Sequence, residues 1–350
     1  MATIKSIWYG CLCSSLLIAI WSCKKDKESD PLLTKVDLEK GKAVLVLNEG
    51  NFTRGNADIT LWQNNTATPN IFKLSTGRAL GDVLQSLYIK GDTGYFVVNN
   101  SGKIEVMHLP DFKQIHTITG MQSPRYIIPL GDGNALITEY YSKKIHTLNP
   151  ATFQITQSNA MPGWVNKAVV HNGRLIFPLA DRPLLYVYDL NTFTPLDSIL
   201  IPNITGEIVM DKLGRVWTAA SYRQGSFTFV ETSIYSFDTN GRIFLGKSVS
   251  QSGGSLFTSM SINNTADTIY LLSRDFYKIP IDKDFTHTAP HIVSSANSNY
   301  YGFGVHPDGR IFLSNARDFV SKGEVDVFSA TGQKITTFPA GIIPQSVYFY

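Results

Sequence analysis

One pattern recurs six times along the chain and constrains its fold more than any single residue: an apolar-alternating run, a Gly, Asp or Asn turn, a second such run, a polar corner, a third run and another turn. The copies begin SLYIKGDTGYFVVNN at Ser86, RYIIPLGDGNALITEYY at Arg125, AVVHNGRLIFPLADR at Ala168, EIVMDKLGRVWTAAS at Glu207, SMSINNTADTIYLLS at Ser259 and FGVHPDGRIFLSNAR at Phe303. A unit of roughly 40–50 residues with three or four short strands is the signature of a propeller blade. Alternation of period two suits a sheet with two packed faces, and the turn residues tolerate left-handed backbone. No stretch after Lys42 shows sustained helical periodicity, so the fold class is all-β.

The ends of the chain predict how the ring closes. Pro344 to Tyr350 (PQSVYFY) reads as a first strand whose partners are missing, and Ala43 to Asn48 (AVLVLN) as a second strand without a first. Together they make one more blade, its third strand near Ala57 to Trp62 and its fourth near Ile71 to Leu74. The expectation is a seven-bladed β-propeller closed by pairing of the C-terminal strand with the N-terminal blade, which removes exposed sheet edges.

Lys5 precedes an apolar run from Ile7 to Ile20, followed by Trp21, Ser22 and Cys23. A basic start, a short apolar stretch and a small residue before the cut describe a secretory signal over 1–22, too short for a comfortable transmembrane span. Ile20 and Ser22 ahead of Cys23 resemble a bacterial lipobox, which makes Cys23 the lipidated first residue of the mature chain. An ordinary cleaved signal with an incidental cysteine is the competing reading. Lys24 to Asp30 (KKDKESD) and Pro31 to Lys42 read as a polar tether over 23–42, with the propeller over 43–350. A charged run after the lipidated cysteine resembles the surface-export signals of Bacteroidota lipoproteins, placing the domain on the outer membrane with a lipid as its only membrane contact.

The formal net charge of +3 is too balanced for a nucleic-acid partner, and no basic stripe is present. The seven His residues are scattered without ligand spacing on a shared strand face, so no metal site or cofactor is expected. No GxSxG elbow, phosphate loop or dinucleotide fingerprint is present either.

In VLNEGNFTRGNADI (Val46 to Ile59), GDVLQSLYI (Gly81 to Ile89) and SPRYIIPL (Ser123 to Leu130) the chain resembles the YncE-like, YVTN-type propeller lipoproteins of Bacteroidota, the group carrying a DUF5074-type region. Members of that group sit beside an outer-membrane TonB-dependent transporter and capture scarce nutrients, the best known being similar to cobalamin-capturing proteins. Other surface propellers of these bacteria bind ferric siderophores. The resemblance implies nutrient capture as a role and carries over no ligand residues.

In such a blade, the corners between strands two and three, and the segments entering strand one, emerge on one rim of the tunnel. Here they hold Arg54, Arg125, Arg182, Arg223, Arg274 and Arg317, with Tyr126, Tyr140, Tyr141, Trp164, Tyr222, Tyr300 and Tyr301 among them. The opposite corners are short generic turns, which marks one rim as the working surface. Flat aromatic rings bury area with little loss of entropy, and Arg offers a fixed fork for carboxylate or phosphate. The set suits a bulky ligand, part apolar and part anionic or amide-rich: a corrinoid first, a ferric siderophore second. Each Arg also has a possible acidic partner such as Asp181, Asp275 or Asp318, so ion pairing competes with ligand binding at every one of them. The expected role is a non-enzymatic binding protein that hands its ligand to the transporter. The alternatives are a propeller enzyme of lactonase or lyase type and a protein-interaction scaffold.

Overall fold

Residues that alternate along a strand point to opposite faces, so a strand that is apolar on both faces must be covered twice. Each sheet of this protein meets that requirement by packing against a sheet on either side. The computed structural model describes the backbone of residues 33–201, 203–224, 228–237, 243–251, 258–282, 291–295 and 298–350, and their side chains apart from those at 204–205, 222–224, 228–231 and 243–251. Among these residues there are seven four-stranded antiparallel sheets. They are the blades of a β-propeller.

Blade 1 is built from both ends of the chain: Pro344–Phe349 is its innermost strand, followed by Val44–Asn48, Asp58–Gln63 and Thr66–Thr68. Val44 pairs with Phe349 and Leu47 with Ser346, so the ring closes by the strand pairing expected from the sequence. Blades 2 to 7 begin at Leu84–Lys90, Pro124–Pro129, Val169–His171, Ile204–Met210, Thr258–Ile262 and Tyr300–Val305.

The core is distributed between the blades, as seven apolar clusters, one at each blade-to-blade interface. Val44 and Val46 pack with Phe312 and Val327 of blade 7, while Leu45 and Leu47 on the same strand pack with Leu84 and Phe96 of blade 2. Each fully buried Leu or Phe stabilises the fold by about 1.5–3 kcal/mol relative to exposure. The buried His146 is partnered: it lies between Glu139 Oε2 and Ser158 Oγ, each 2.7 Å away.

Two expectations are corrected. The fourth strand of blade 1 is Thr66–Thr68, and Ile71–Thr76 is a short α-helix. Asn64 and Asn65 both take positive φ, so the chain reverses in a two-residue hairpin and the fourth strand is used up early. Ile71 and Phe72 then turn into the cluster between blades 1 and 2, and Gly77, in left-handed conformation, caps the helix by donating its N–H to the Lys73 carbonyl. The second correction concerns the expected tether, whose last part is packed on the propeller. Val36 and Leu38 are buried in the same cluster, and the Leu38 N–H donates to the Pro110 carbonyl at 2.9 Å.

Candidate functional site

The innermost strands share a local irregularity that decides what faces the tunnel. In five blades the pairing of the first strand with the second slips near its start, and the residues left out of the ladder include Gln345, Gln85, Arg125 with Tyr126, Glu207 and Tyr301. A bulge adds a residue on one strand and re-aims its side chain. All of these bulged residues line one central cavity of about 650 Å³, to which every blade contributes. Asn166, just after the bridge between Val165 and Leu179, and Ser259 represent blades 4 and 6.

Arg125 is the hub of the cavity. Its Nε donates to Asn166 Oδ1 at 3.0 Å, one terminal nitrogen donates to Gln85 Oε1, and its guanidinium lies 4.2 Å from the centre of the Tyr140 ring. Tyr140, Tyr141 and Trp164 form an aromatic wall with ring centres 5.4–6.1 Å apart. Across the cavity the Tyr301 hydroxyl donates to the Glu49 carboxyl, 3.2 Å from each oxygen. Burial pushes Glu49 up to about 7, against the opposing pull of the Arg125 charge and the Tyr301 hydrogen bond.

Deeper along the axis, Glu207 accepts from Lys167 Nζ at 2.7 Å and from the Met260 N–H at 2.8 Å. Burial is the largest single influence and would lower Lys167, but the charge and hydrogen bond of Glu207, together with Tyr126 and Tyr348, outweigh it and hold the ammonium above its ordinary value. Tyr126 lines both the mouth cavity and a smaller one of about 260 Å³ that includes Lys167. The ion pair and Tyr126 therefore floor the mouth cavity. Among the described residues no group of three or more His, Cys, Asp or Glu converges as metal ligands would.

A family model described as a domain of unknown function, DUF5074, matches residues 42–343. The chain belongs to the DUF5074 family. No curated protein matches it. Among solved structures, this DUF5074 chain is similar to a quinoprotein alcohol dehydrogenase-like protein from Bacteroides thetaiotaomicron, with a TM-score of 0.66 and 14% identity over 88% of this chain and 78% of that one. It is also similar to a dihydro-heme d1 dehydrogenase (TM-score 0.55, 12% identity, 91% and 80% covered) and to Kuenenia stuttgartiensis hydrazine synthase (TM-score 0.52, 11% identity, 73% and 86% covered). Identities this low carry the fold alone.

Of the rim residues singled out in the sequence, Arg125, Tyr126, Tyr140, Tyr141 and Tyr301 line the cavity of the DUF5074 propeller, and Trp164 packs against two of them. Tyr300 is not among them: its ring is buried between blades 6 and 7 and its hydroxyl donates to Asp326 at 2.8 Å. Arg182 and Arg317 are exposed and lie against Asp181 and Glu324, at 3.3 and 2.5 Å, and Arg54 and Arg274 are exposed off the cavity. Nearby acids and outward-facing corners take these four away from the axis. The side chains of Tyr222 and Arg223, and all of Cys23, lie outside the described residues. Glu49, Gln85, Asn166 and Glu207 were not expected in the site. Glu49 and Phe52 belong to the NEGNF corner, and both line the cavity. That corner was the available signal.

Proposed function

We propose that the protein is a binding protein of the outer cell surface, lipid-anchored through Cys23, whose mouth cavity captures a bulky nutrient and passes it unchanged to a TonB-dependent transporter. The observation that carries the reading is the cavity itself: all seven blades contribute to it, it has one aromatic wall, and it falls in the size range of small-molecule sites. A corrinoid is the preferred ligand and a ferric siderophore the second choice. Four of the six rim arginines lie off the cavity, whereas the amides Gln85, Asn99, Asn166 and Gln345 line it. Hydrogen-bonding amides around an aromatic wall suit a flat macrocycle fringed with amides better than a multiply charged chelate. The YncE-like, cobalamin-capturing resemblance points the same way.

Calorimetry with cyanocobalamin, ferric enterobactin and haem tests this. Cyanocobalamin is expected to bind below about 10 μM, and Tyr141→Ala to weaken it by about tenfold with an unchanged melting temperature. Failure of all three ligands to bind overturns the capture reading.

A second reading is supported by Glu49, a carboxyl pushed up to about 7 beside Tyr301, as a general acid of a lyase or lactonase needs to be. Incubation with lactones and uronate oligomers, followed by mass analysis, separates the two readings, and no product is expected.

A further inference from the structure

The charges in the mouth cavity are unevenly satisfied. Lys167 is neutralised by Glu207 at 2.7 Å, and Glu207 is also engaged by the Met260 N–H. Arg125 has no carboxylate in ion-pair contact among the described residues: it meets the neutral oxygens of Asn166 and Gln85 and the face of Tyr140. The guanidinium is therefore oriented without a direct ion pair, unlike Arg78, Arg182, Arg215, Arg310 and Arg317, each of which meets an acid.

The backbone under Arg125 is also fixed. Ser86 Oγ donates to the Arg125 carbonyl at 2.6 Å, and Asn99 Nδ2 donates to the carbonyl of Pro124 at 2.9 Å. Two of the five guanidinium N–H groups are used by the amides, which leaves donors on the edge away from Nε. A half-buried, pre-aligned fork with donors to spare recognises a planar or tetrahedral oxyanion and loses little entropy in doing so.

We infer that the ligand of the mouth cavity presents one oxyanion, a carboxylate or phosphate, to Arg125, with its flat part against the wall of Tyr140, Tyr141 and Trp164. This inference rests on the capture reading for its site and adds the chemical group that the site selects. The Glu49 carboxyl faces Arg125 and Tyr301 from blades 3 and 7. Glu207, Lys167 and the Tyr126, Tyr140 and Tyr141 hydroxyls are the other titratable groups around the fork among the described residues. Protonation of Glu49 removes the negative charge that competes with an incoming anion.

The test uses the full chain and ligand-observed NMR with benzoate, phenyl phosphate and the neutral isostere benzamide. At least one anion is expected to bind about tenfold or more tightly than benzamide. The preferred anion separates a carboxylate source from a phosphate source. Gln85→Glu, which sets a carboxylate against the guanidinium, is expected to abolish that preference, and Arg125→Gln to do the same. A merely structural role for Arg125 would shift all three probes together. Equal binding of anions and benzamide by the parent, no binding of either anion, or a preference that survives in both variants overturns the inference. Cyanocobalamin titrated in parallel separates the two proposals: anion selection that depends on Arg125, without corrinoid binding, sinks the corrinoid assignment and leaves the oxyanion site standing.

Discussion

At the scale of single residues, the cavity exacts a cost in stability that pH exposes. Glu49 has its carboxyl pushed from an ordinary 4.5 up to about 7, chiefly by burial. Between those values the unfolded chain has released the proton and the folded chain retains it, so this group makes stability fall as pH rises from 4.5 to about 7, with no further change above. Asp58, buried and pushed up to about 6, adds a slope of the same sign. Glu139 works the other way: burial would raise it, but hydrogen bonds from His146, Ser142 and two backbone N–H groups hold it down at about 2. Its contribution is present above 4.5 and is lost as pH falls toward 2. Glu49→Gln is expected to match the parent at pH 4.5 and to exceed it at pH 8 by on the order of 1–2 kcal/mol. Thermal melts at the two pH values check this, and equal gains at both would assign the effect to packing. The alternation of Leu45, Val46 and Leu47 was legible in the sequence because burial on two faces leaves no other pattern. The aim of Tyr300 was not, since neighbouring tyrosines on one strand give no sign of which is bulged.

At the scale of elements, the innermost strands carry both the ring and the site. Those of blades 7 and 1 lie so close that a Cβ built on Gly302 would overlap the Gln345 carbonyl oxygen, and one on Gly304 the Val347 carbonyl oxygen. Glycine is required there for approach. Gly302→Ala is expected to cost about 1–3 kcal/mol by prising Tyr300–Val305 from Pro344–Phe349. Denaturant melts measure it, and an unchanged midpoint would refute the close contact. The same strands show why the site was only partly readable. Strand positions followed from period-two patterning, but Gln85, Glu207 and Gln345 reach the tunnel through breaks in that period. A bulge depends on how two strands pair, which neither strand states alone. Helix Ile71–Thr76 escaped notice for a related reason: six residues are too few for a 3.6-residue period to register.

At the scale of the whole molecule, the ring stands on seven interfaces of similar kind, which is why the blade count could be read from repeats while the contents of the mouth could not. Its weakest requirement is the closing strand. Removal of residues 344–350 strips Val44–Asn48 of one partner and takes Val347 and Tyr350 out of two clusters. The truncated chain is expected to lose its cooperative melt altogether, as calorimetry would record. A sharp transition that persisted would mean that six blades suffice. The pairing of Val44 with Phe349 also imposes an order of events. During synthesis the first blade waits, with one side of Val44–Asn48 unpaired, until Pro344–Phe349 has been made. Throughout that interval the nascent chain is open to annealing with a stranger's strand, so safe production of this protein depends on a chaperone that shields the waiting edge or on a passage too brief for the wrong partner to arrive.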